Sequence, residues 1–286
     1  MDLEKTMITR TKKNKPLTSA QARSFQKKIY SYYDTQGRDF PWRKKLNPYR
    51  VLVSEIMLQQ TQAERVIEKF QKFIAEFPDF HSLAKAPLPK LLKMWSGMGY
   101  NRRALALKSL AQKVVDEHQG TLPKKPEKLT SLPGIGPYTA GAIAAFAFNQ
   151  PVVFMDTNIR RVYIHAFFRD RANIHDDELT PLVELTMDTE NPRKWYNALM
   201  DYGSMLRQKH ANPNRKSAHY TRQSPFENSN RQVRGKILKV LVAESQVSAP
   251  QIAKRIGMEP DRVKANLLLL GKEGFIRKRG TRYSIG

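Results

Sequence analysis

Apolar residues between about positions 21 and 206 recur at spacings of three and four, which is the spacing of one face of an α-helix. The pattern is clearest in residues 51–77, 88–94, 104–115, 139–148, 158–168 and 195–206. The prolines at positions 78, 87, 123, 126, 133 and 137 lie between these stretches, where they do not interrupt a helix. Alternating strand patterns are scarce in the same region. The sequence therefore predicts a mainly α domain over residues 21–206.

The ends of the chain have different patterns. Residues 1–20 are polar and rich in lysine, which predicts a flexible basic tail, and residues 207–230 are polar and basic, which predicts a linker or a loop along the surface. Apolar spacing returns in residues 233–242, 249–256 and 259–271, and residues 275–285 alternate on both sides of Gly280. Three helices and a basic hairpin predict a winged-helix DNA-binding domain over residues 231–286, with a generic small helical module as the alternative.

Composition adds a partner class. Fifty Lys and Arg against twenty-six Asp and Glu give a formal net charge of +24, which favours binding to polyanions such as DNA, RNA or an anionic membrane surface. No apolar run is long enough to span a membrane, and the N-terminus has no apolar signal core, so we expect a cytoplasmic protein. The chain has no Cys, which excludes disulfides and thiolate-bound metal sites from it. We expect no cofactor and no metal.

The segment LPGIG at residues 132–136, followed by PYTAG, predicts a phosphate-binding hairpin. Gly134 and Gly136 allow a tight turn and a close approach to a ligand, and the helix after them offers backbone N–H groups at its positive end. Such a helix-hairpin-helix motif binds the DNA backbone without reading base sequence. An ordinary turn between two helices is the alternative.

Two carboxyl groups are candidates for chemistry. Asp156 ends an apolar run at the start of a predicted helix, where the helix dipole keeps a carboxylate ionised, although it could simply cap that helix. Glu55 lies on a largely apolar helix face, and burial there should raise the pKa of its carboxyl group, as a general acid requires. A Glu at the edge of the core, paired with a basic residue, is the alternative for Glu55.

These motifs together resemble the catalytic domain of the MutY family, within the helix-hairpin-helix DNA glycosylases. The matching blocks are FPWR at 40–43, SEIMLQQTQ at 54–62, WSGMGY at 95–100, LPGIGPYTAG at 132–141 and MDTN at 155–158, in that order. The resemblance covers about residues 24–206. It implies a monofunctional base excision repair enzyme that removes mispaired adenine from double-stranded DNA and leaves an abasic site.

The resemblance implies a role for each matching residue. Glu55 corresponds to the general acid that protonates the adenine ring nitrogen, and Asp156 corresponds to the carboxylate that stabilises the oxocarbenium-like sugar. Tyr138 and Asn158 correspond to residues that support that carboxylate and the intermediate. The expected DNA-binding residues are Gln60, Thr61, Tyr100, Gly134, Gly136 and Thr139, of which Gln60 and Tyr100 wedge into the base stack. The expected base-pocket residues are Trp42, Arg43 and Leu58.

Position 138 also separates two reaction types. Relatives such as endonuclease III have a lysine there, which forms a Schiff base and cuts the strand, whereas a tyrosine cannot do so. The resemblance therefore implies glycosylase activity without strand cleavage.

The chain departs from the family in two places. The family usually carries an iron–sulfur cluster held by four Cys after the matched domain, and here that segment has only His210 and His219 as possible ligands. The family also usually has a C-terminal domain that senses 8-oxoguanine, where this chain has the winged-helix candidate. A thymine or uracil glycosylase acting opposite guanine and a non-enzymatic winged-helix DNA-binding protein remain alternatives. We expect a monomer that associates with the nucleoid.

Overall fold

The computed structural model describes residues 17–286, so most of the basic tail predicted at residues 1–20 lies outside the described part. The first twelve helices in this part are α1 (Ser19–Gln36), α2 (Pro41–Lys44), α3 (Pro48–Leu58), α4 (Ala63–Glu76), α5 (Phe80–Ala84), α6 (Leu88–Trp95), α7 (Arg102–His118), α8 (Pro126–Thr130), α9 (Pro137–Phe148), α10 (Thr157–Phe167), α11 (Asp176–Leu185) and α12 (Pro192–Lys209). A 3-10 turn follows at Pro213–Lys216. The prediction of a mainly α fold is confirmed.

The C-terminal residues form three helices and a small sheet, α13 (Asn230–Ala243), β1 (Val247–Ser248), α14 (Ala249–Ile256), α15 (Pro260–Lys272), β2 (Ile276–Arg279) and β3 (Arg282–Ile285). The sheet is antiparallel in the order β1-β3-β2, and Gly280 turns the β2–β3 hairpin with a φ of 58°. The short β1 strand is absent from the sequence prediction, because two residues are too few to show a period.

Local chemistry explains where the helices begin. Thr18, Asp79, Asp156 and Ser229 cap helix N-termini by accepting a hydrogen bond from a backbone N–H group. Proline occupies the first helical position of α2, α8, α9, α12 and α15, where its missing N–H costs nothing. The apolar stretch 51–77 forms two helices rather than one, because Gln60 between α3 and α4 has a left-handed backbone with φ 53°.

The described residues form two compact units, and each unit is built from several separate segments of the sequence. The first unit contains residues up to 51, 124–131 and 135–222. Its core is built from buried aromatic and aliphatic side chains of α1, α10 and α12, among them Phe25, Tyr163, Trp195 and Leu199. Burial of this apolar surface is the main favourable term in holding these helices together.

The second unit contains residues 52–123, 132–134 and 223–286, so the C-terminal helices share a unit with α4–α7. Leu92 of α6 is buried in one apolar cluster with Val233 and Ile237 of α13. Leu88 and Leu105 pack against the same cluster. The C-terminal residues are thus fixed to α6 and α7 by a continuous core.

Among residues 17–286, we find no helix that combines the length and the apolar character needed to cross a membrane.

Candidate active site

Asp156 lies at the N-terminus of α10 in the first unit. Its carboxylate accepts a hydrogen bond from the Asn158 backbone N–H at 2.5 Å, and the Tyr138 hydroxyl lies 3.5 Å from its other oxygen. The residue is half-buried and has extended backbone, as an N-cap residue does. A carboxylate in this position faces the positive end of the helix dipole. The structure therefore places Tyr138, Asp156 and Asn158 together.

Asn158 is held in one orientation by a buried arginine. Arg161, one turn further along α10 and 3% exposed, donates to the Asn158 side-chain oxygen at 2.7 Å and to the Gly203 carbonyl at 2.8 Å. Burial lowers the pKa of the Arg161 guanidinium to about 10, and the nearby Asp156 carboxylate opposes that shift, so the group stays charged at neutral pH. This contact turns the Asn158 amide nitrogen away from Arg161.

The segment after α12 supports the start of α10. The Asn212 side-chain oxygen accepts a hydrogen bond from Arg161 at 3.2 Å, and the buried Asn214 side chain donates to the Thr157 carbonyl at 2.8 Å. Ser217 pairs with Ile174 in an isolated parallel bridge. Residues 212–217 therefore pack beneath the helix that carries Asp156.

Trp42 and Arg43 have firm structural contacts in the first unit. Trp42 is buried and its ring stacks on Phe40 at 4.6 Å. Arg43 makes a two-pronged ion pair with the fully buried Asp201 carboxylate, at 2.8 and 2.9 Å, and Arg38 shares that carboxylate. Because a buried carboxylate is costly unless it is paired, the Asp201 contact ties Arg43 to the fold in addition to any contact with a base.

Glu55 lies on α3, and its neighbours on that helix are almost fully inaccessible. Ser54, Ile56 and Met57 are 1%, 3% and 0% exposed, whereas Glu55 is half-buried. Its side chain is therefore at a rim of the second unit's core, where it has both apolar surroundings and access to a ligand. Leu58, the last residue of α3, is also half-buried.

Arg103 of α7 holds the C-terminal end of α3. Its guanidinium donates to the carbonyl groups of Ile56, Met57 and Gln59 at 2.8, 3.0 and 2.6 Å. These carbonyls would otherwise lack partners, because the last turn of a helix has no following N–H groups. The same guanidinium donates to the Thr61 hydroxyl and to the Gly99 carbonyl. Burial lowers the pKa of Arg103 to about 10, which leaves it charged at neutral pH.

The two expected wedge residues share an unusual backbone conformation. Gln60 has φ 53° and Tyr100 has φ 47°, a left-handed region that is uncommon for residues other than Gly, Asn and Asp. Both lie in short segments that Arg103 joins by hydrogen bonds. The structure therefore gathers Gln60, Thr61 and Tyr100 around one arginine in the second unit.

The hairpin between α8 and α9 turns at Gly134. Gly134 has φ 77°, and a Cβ there would lie 2.8 Å from the Ala106 Cβ, so a larger residue does not fit. Gly134 and Gly136 are exposed at the turn, and Gly136 is the N-cap of α9. Thr139 is 4% exposed, so the backbone rather than its side chain is the part of the hairpin open to a ligand.

Sequence reasoning missed the residues that hold these groups in place. Arg103, Arg161, Asp201 and Asn214 were not among the expected site residues. A charged residue at position 161, within the apolar spacing of residues 158–168, was the one signal available for Arg161.

The donor set after α12 does not fit an iron–sulfur cluster. The chain has no Cys, and the His210 and His219 rings lie against different histidines, His165 at 5.1 Å and His175 at 5.7 Å. Within residues 17–286, no three His, Asp or Glu side chains are grouped so that they could hold a metal ion. In this part of the chain, Asn212 and Asn214 instead form hydrogen bonds with residues of α10.

Comparison with known proteins agrees with the family resemblance that the sequence motifs indicate. The most similar relatives include adenine DNA glycosylases from Buchnera aphidicola subsp. Baizongia pistaciae, 38% identical over 64% of this chain and 52% of the relative, and from Rattus norvegicus, 36% identical over 65% and 39%. The chain thus spans about half or less of the length of these curated relatives. Among solved structures, a thermostable thymine-DNA glycosylase superposes with a TM-score of 0.62 at 28% identity, over 70% of this chain and 94% of that one.

The resemblance to the MutY family is confirmed by these relatives, and the helix-hairpin-helix glycosylase fold is confirmed by the superposition. The family model described as "HhH-GPD superfamily base excision DNA repair protein" matches residues 53–184, which include the hairpin and both candidate carboxyl groups. Residues 53–184 are therefore similar to the HhH-GPD superfamily of base excision DNA repair proteins.

Proposed function

We propose that this protein is a monofunctional DNA glycosylase of base excision repair, which removes adenine mispaired with 8-oxoguanine or guanine and leaves an abasic site. The observation that carries the proposal is the Asp156 carboxylate at the N-terminus of α10, bonded to the Asn158 N–H and near the Tyr138 hydroxyl. An ionised carboxylate held by fixed donors suits a reaction in which positive charge develops on a sugar. The curated relatives are named adenine DNA glycosylases, and this name is the basis for proposing adenine as the substrate.

The reaction requires two carboxyl groups in different states. Glu55, protonated at the start, donates its proton to a ring nitrogen of adenine as the bond from that base to C1′ breaks and the electron pair leaves with the base. The Asp156 carboxylate stabilises the cationic sugar that remains. Water then adds to C1′ and loses a proton, so the products are free adenine and an abasic sugar.

DNA recognition uses two kinds of contact in this proposal. The exposed backbone of Gly134 and Gly136, at the positive end of α9, binds a phosphate without reading sequence. Gln60 and Tyr100 enter the base stack beside the extruded adenine and replace part of the stacking that extrusion loses. Leu58 and Trp42 contribute to the base pocket, and Thr61 and Thr139 hold the backbone of the DNA-binding segments.

The C-terminal helices and hairpin make a second DNA contact in this proposal. Residues 231–286 contain thirteen Lys and Arg against four Asp and Glu. Arg277, Lys278, Arg279 and Arg282 are all exposed on the β2–β3 hairpin, where a groove or a phosphate backbone can reach them. We propose that the protein acts on DNA as a monomer in the cytoplasm, in association with the nucleoid.

One experiment tests the proposal. Wild-type protein in excess is incubated with four duplexes, which carry adenine opposite 8-oxoguanine, adenine opposite guanine, thymine opposite guanine and uracil opposite guanine. After hot alkali, we expect strand breaks at adenine in the first two duplexes. Absence of excision from all four would overturn the enzyme assignment.

A second candidate is a thymine or uracil glycosylase. It is favoured by the solved structure that superposes on 94% of its own length, which is a thymine-DNA glycosylase. Excision of thymine or uracil opposite guanine, with adenine left intact, would establish this candidate in place of the first.

A further inference from the structure

Residues 97–101, here called the wedge loop, have a backbone that few side chains tolerate. Gly97 and Gly99 have φ of 86° and 68°, and Tyr100 has φ 47°. Glycine adopts these values without strain, whereas a bulky aromatic residue rarely does. Tyr100 therefore depends on its surroundings to stay in this conformation.

Three side chains hold the Tyr100 ring. Its hydroxyl accepts hydrogen bonds from the Arg231 guanidinium and from the Gln223 amide. The guanidinium groups of Arg231 and Arg103 lie 5.2 and 5.5 Å from the ring centre, within the range of a cation–π contact. Arg103 comes from the same part of the sequence as the wedge loop, but Arg231 and Gln223 come from the C-terminal part.

Arg231 is itself held in a defined position. It lies in the first turn of α13, and its second terminal nitrogen donates to the Ser224 carbonyl at 2.6 Å. Helix α13 is anchored by buried Val233 and Ile237 in the cluster that includes Leu92 of α6. Arg231 therefore presents its guanidinium from a rigid element, as a residue that fixes another side chain must.

We propose that Arg231 is a positioning residue for Tyr100, through which the C-terminal helices preset the wedge loop for insertion into the DNA stack. The proposal rests on the proposed function, because it assigns Tyr100 to the DNA wedge. A ring that is already oriented loses little conformational freedom when it enters the stack, whereas a free ring must be ordered at that moment. The C-terminal part thus contributes to base extrusion as well as to DNA affinity.

The test uses a readout that does not depend on which base is excised. The full-length protein binds a duplex with a tetrahydrofuran abasic-site analogue, and 2-aminopurine beside the gap reports insertion of the wedge by a change in its emission. The variants are R231A, Y100F, the double variant and R231K, with K239A as control. Lys239 is exposed on the same helix and its loss removes the same charge.

We expect R231A and Y100F each to lower the equilibrium constant for insertion by about tenfold, the loss typical of one charge-assisted hydrogen bond. The double variant should lose clearly less than the sum of the two single variants, because both remove the hydrogen bond between Arg231 and the Tyr100 hydroxyl. R231K should recover part of the loss, and K239A should match wild type.

Additive effects in the double variant, or an R231A protein that inserts like K239A, would overturn the proposal. Y100F keeps the aromatic ring and removes only the hydroxyl, so it gives the answer even if R231A lowers the thermal midpoint. If wild type changes the emission on this duplex but excises no base from the four-duplex panel, the proposed function fails while the positioning role stands.

Discussion

Buried Arg161 and half-buried Arg103 hold the backbone around the proposed catalytic carboxyl groups. Arg161 fixes the Asn158 side chain next to Asp156, and Arg103 binds the carbonyls at the end of the helix that carries Glu55. Both make hydrogen bonds to backbone carbonyl groups in a fixed fork geometry that lysine cannot reproduce. At the scale of single residues, one arginine thus holds the Asn158 side chain beside Asp156, and another holds the end of the helix that carries Glu55.

Replacing Glu55 by Gln should abolish most adenine excision. Glutamine keeps the size of the side chain but cannot donate an acidic proton, and general acid catalysis typically contributes about a hundredfold to ten-thousandfold in rate. We expect a fall of that order in the single-turnover rate on adenine opposite 8-oxoguanine, with DNA affinity within a few-fold. The matched control is E64Q, a change at an exposed carboxyl group on the next helix. A thymine or uracil substrate that E55Q cleaves at the wild-type rate would contradict the adenine assignment.

Because position 138 is a tyrosine and not a lysine, the enzyme should be unable to cut the DNA strand. A phenol forms no Schiff base, so the product should be an abasic site that breaks only after hot alkali. Borohydride added during turnover should trap no covalent protein–DNA adduct with wild type. The comparison variant is Y138K, which brings an amine to the position 3.5 Å from the Asp156 carboxylate and should give a detectable adduct. An adduct formed by wild type would show that another amine attacks the sugar.

The sequence indicated candidate reacting groups but not the residues that hold them in place. Glu55, Tyr138 and Asp156 lie in short motifs whose residue types match the chemistry. The contacts of Arg103 join residues more than forty positions apart, and those of Arg161 reach Gly203 and Asn212. Among fifty basic residues, nothing in the sequence marks Arg103 or Arg161 as a residue that binds backbone carbonyls.

At the scale of elements, the C-terminal helices are joined to α7 by a cluster of charges. Glu273, at the end of α15, accepts hydrogen bonds from Arg234 of α13 and from Arg102 of α7. Hydrogen bonds from Arg102 and Arg234 lower the pKa of the Glu273 carboxyl group to about 2. The linkage of α13 and α15 to α7 thus contains an ionic part besides the apolar core around Leu92.

Replacing Glu273 by Gln should lower stability in a pH-dependent way. The pKa of this carboxyl group is depressed from 4.5 in the folded state, so its contribution is present above about pH 4.5 and is lost as the pH falls towards 2. Because Arg102 is largely exposed, we expect only about 1–2 kcal/mol at pH 7. Urea titrations of wild type and E273Q should differ at pH 7 and converge near pH 2. A difference that stays constant from pH 7 to pH 3 would contradict the ionic role.

The boundaries of these elements also show what a sequence pattern can resolve. The apolar spacing of residues 51–77 continues past residue 60 and by itself indicates a continuous helix. The break depends on the left-handed backbone of Gln60, which periodicity does not register. The grouping of residues 223–286 with 52–123 was likewise beyond reach, since it depends on contacts between distant parts of the chain.

At the scale of the whole molecule, the formal net charge of +24 is large enough that binding to DNA should depend strongly on salt concentration. A protein releases counterions in proportion to the phosphates that it neutralises, with a slope of about 0.9 per phosphate on a logarithmic plot. The C-terminal hairpin has exposed basic side chains in addition to the proposed phosphate-binding turn at residues 132–136. Affinity and chemistry should therefore respond to different substitutions.

Neutralising the hairpin should weaken binding without slowing the reaction. In R277Q/K278Q/R279Q, we expect the salt slope of the binding constant to fall by up to about 3, one unit for each lost phosphate contact. The single-turnover rate at saturating protein should stay within about twofold. The control triple is K236Q/K239Q/K254Q, which removes exposed lysines from α13 and α14. Equal loss of slope in both triples would show that the hairpin is not the specific contact.

The Arg103 contacts have a consequence for how the second unit opens. Thr61 and Met98 donate their amide protons only to short turn bonds, to the Leu58 and Trp95 carbonyls, and such amides ordinarily exchange quickly with solvent. Because one guanidinium binds the carbonyls on both sides, neither segment can move away without releasing the end of α3. In native-state hydrogen exchange these amides should therefore become labile together with those of the last turn of α3, and R103K should uncouple the two segments. Exchange of Thr61 and Met98 at independent rates in wild type would show that the arginine does not link them.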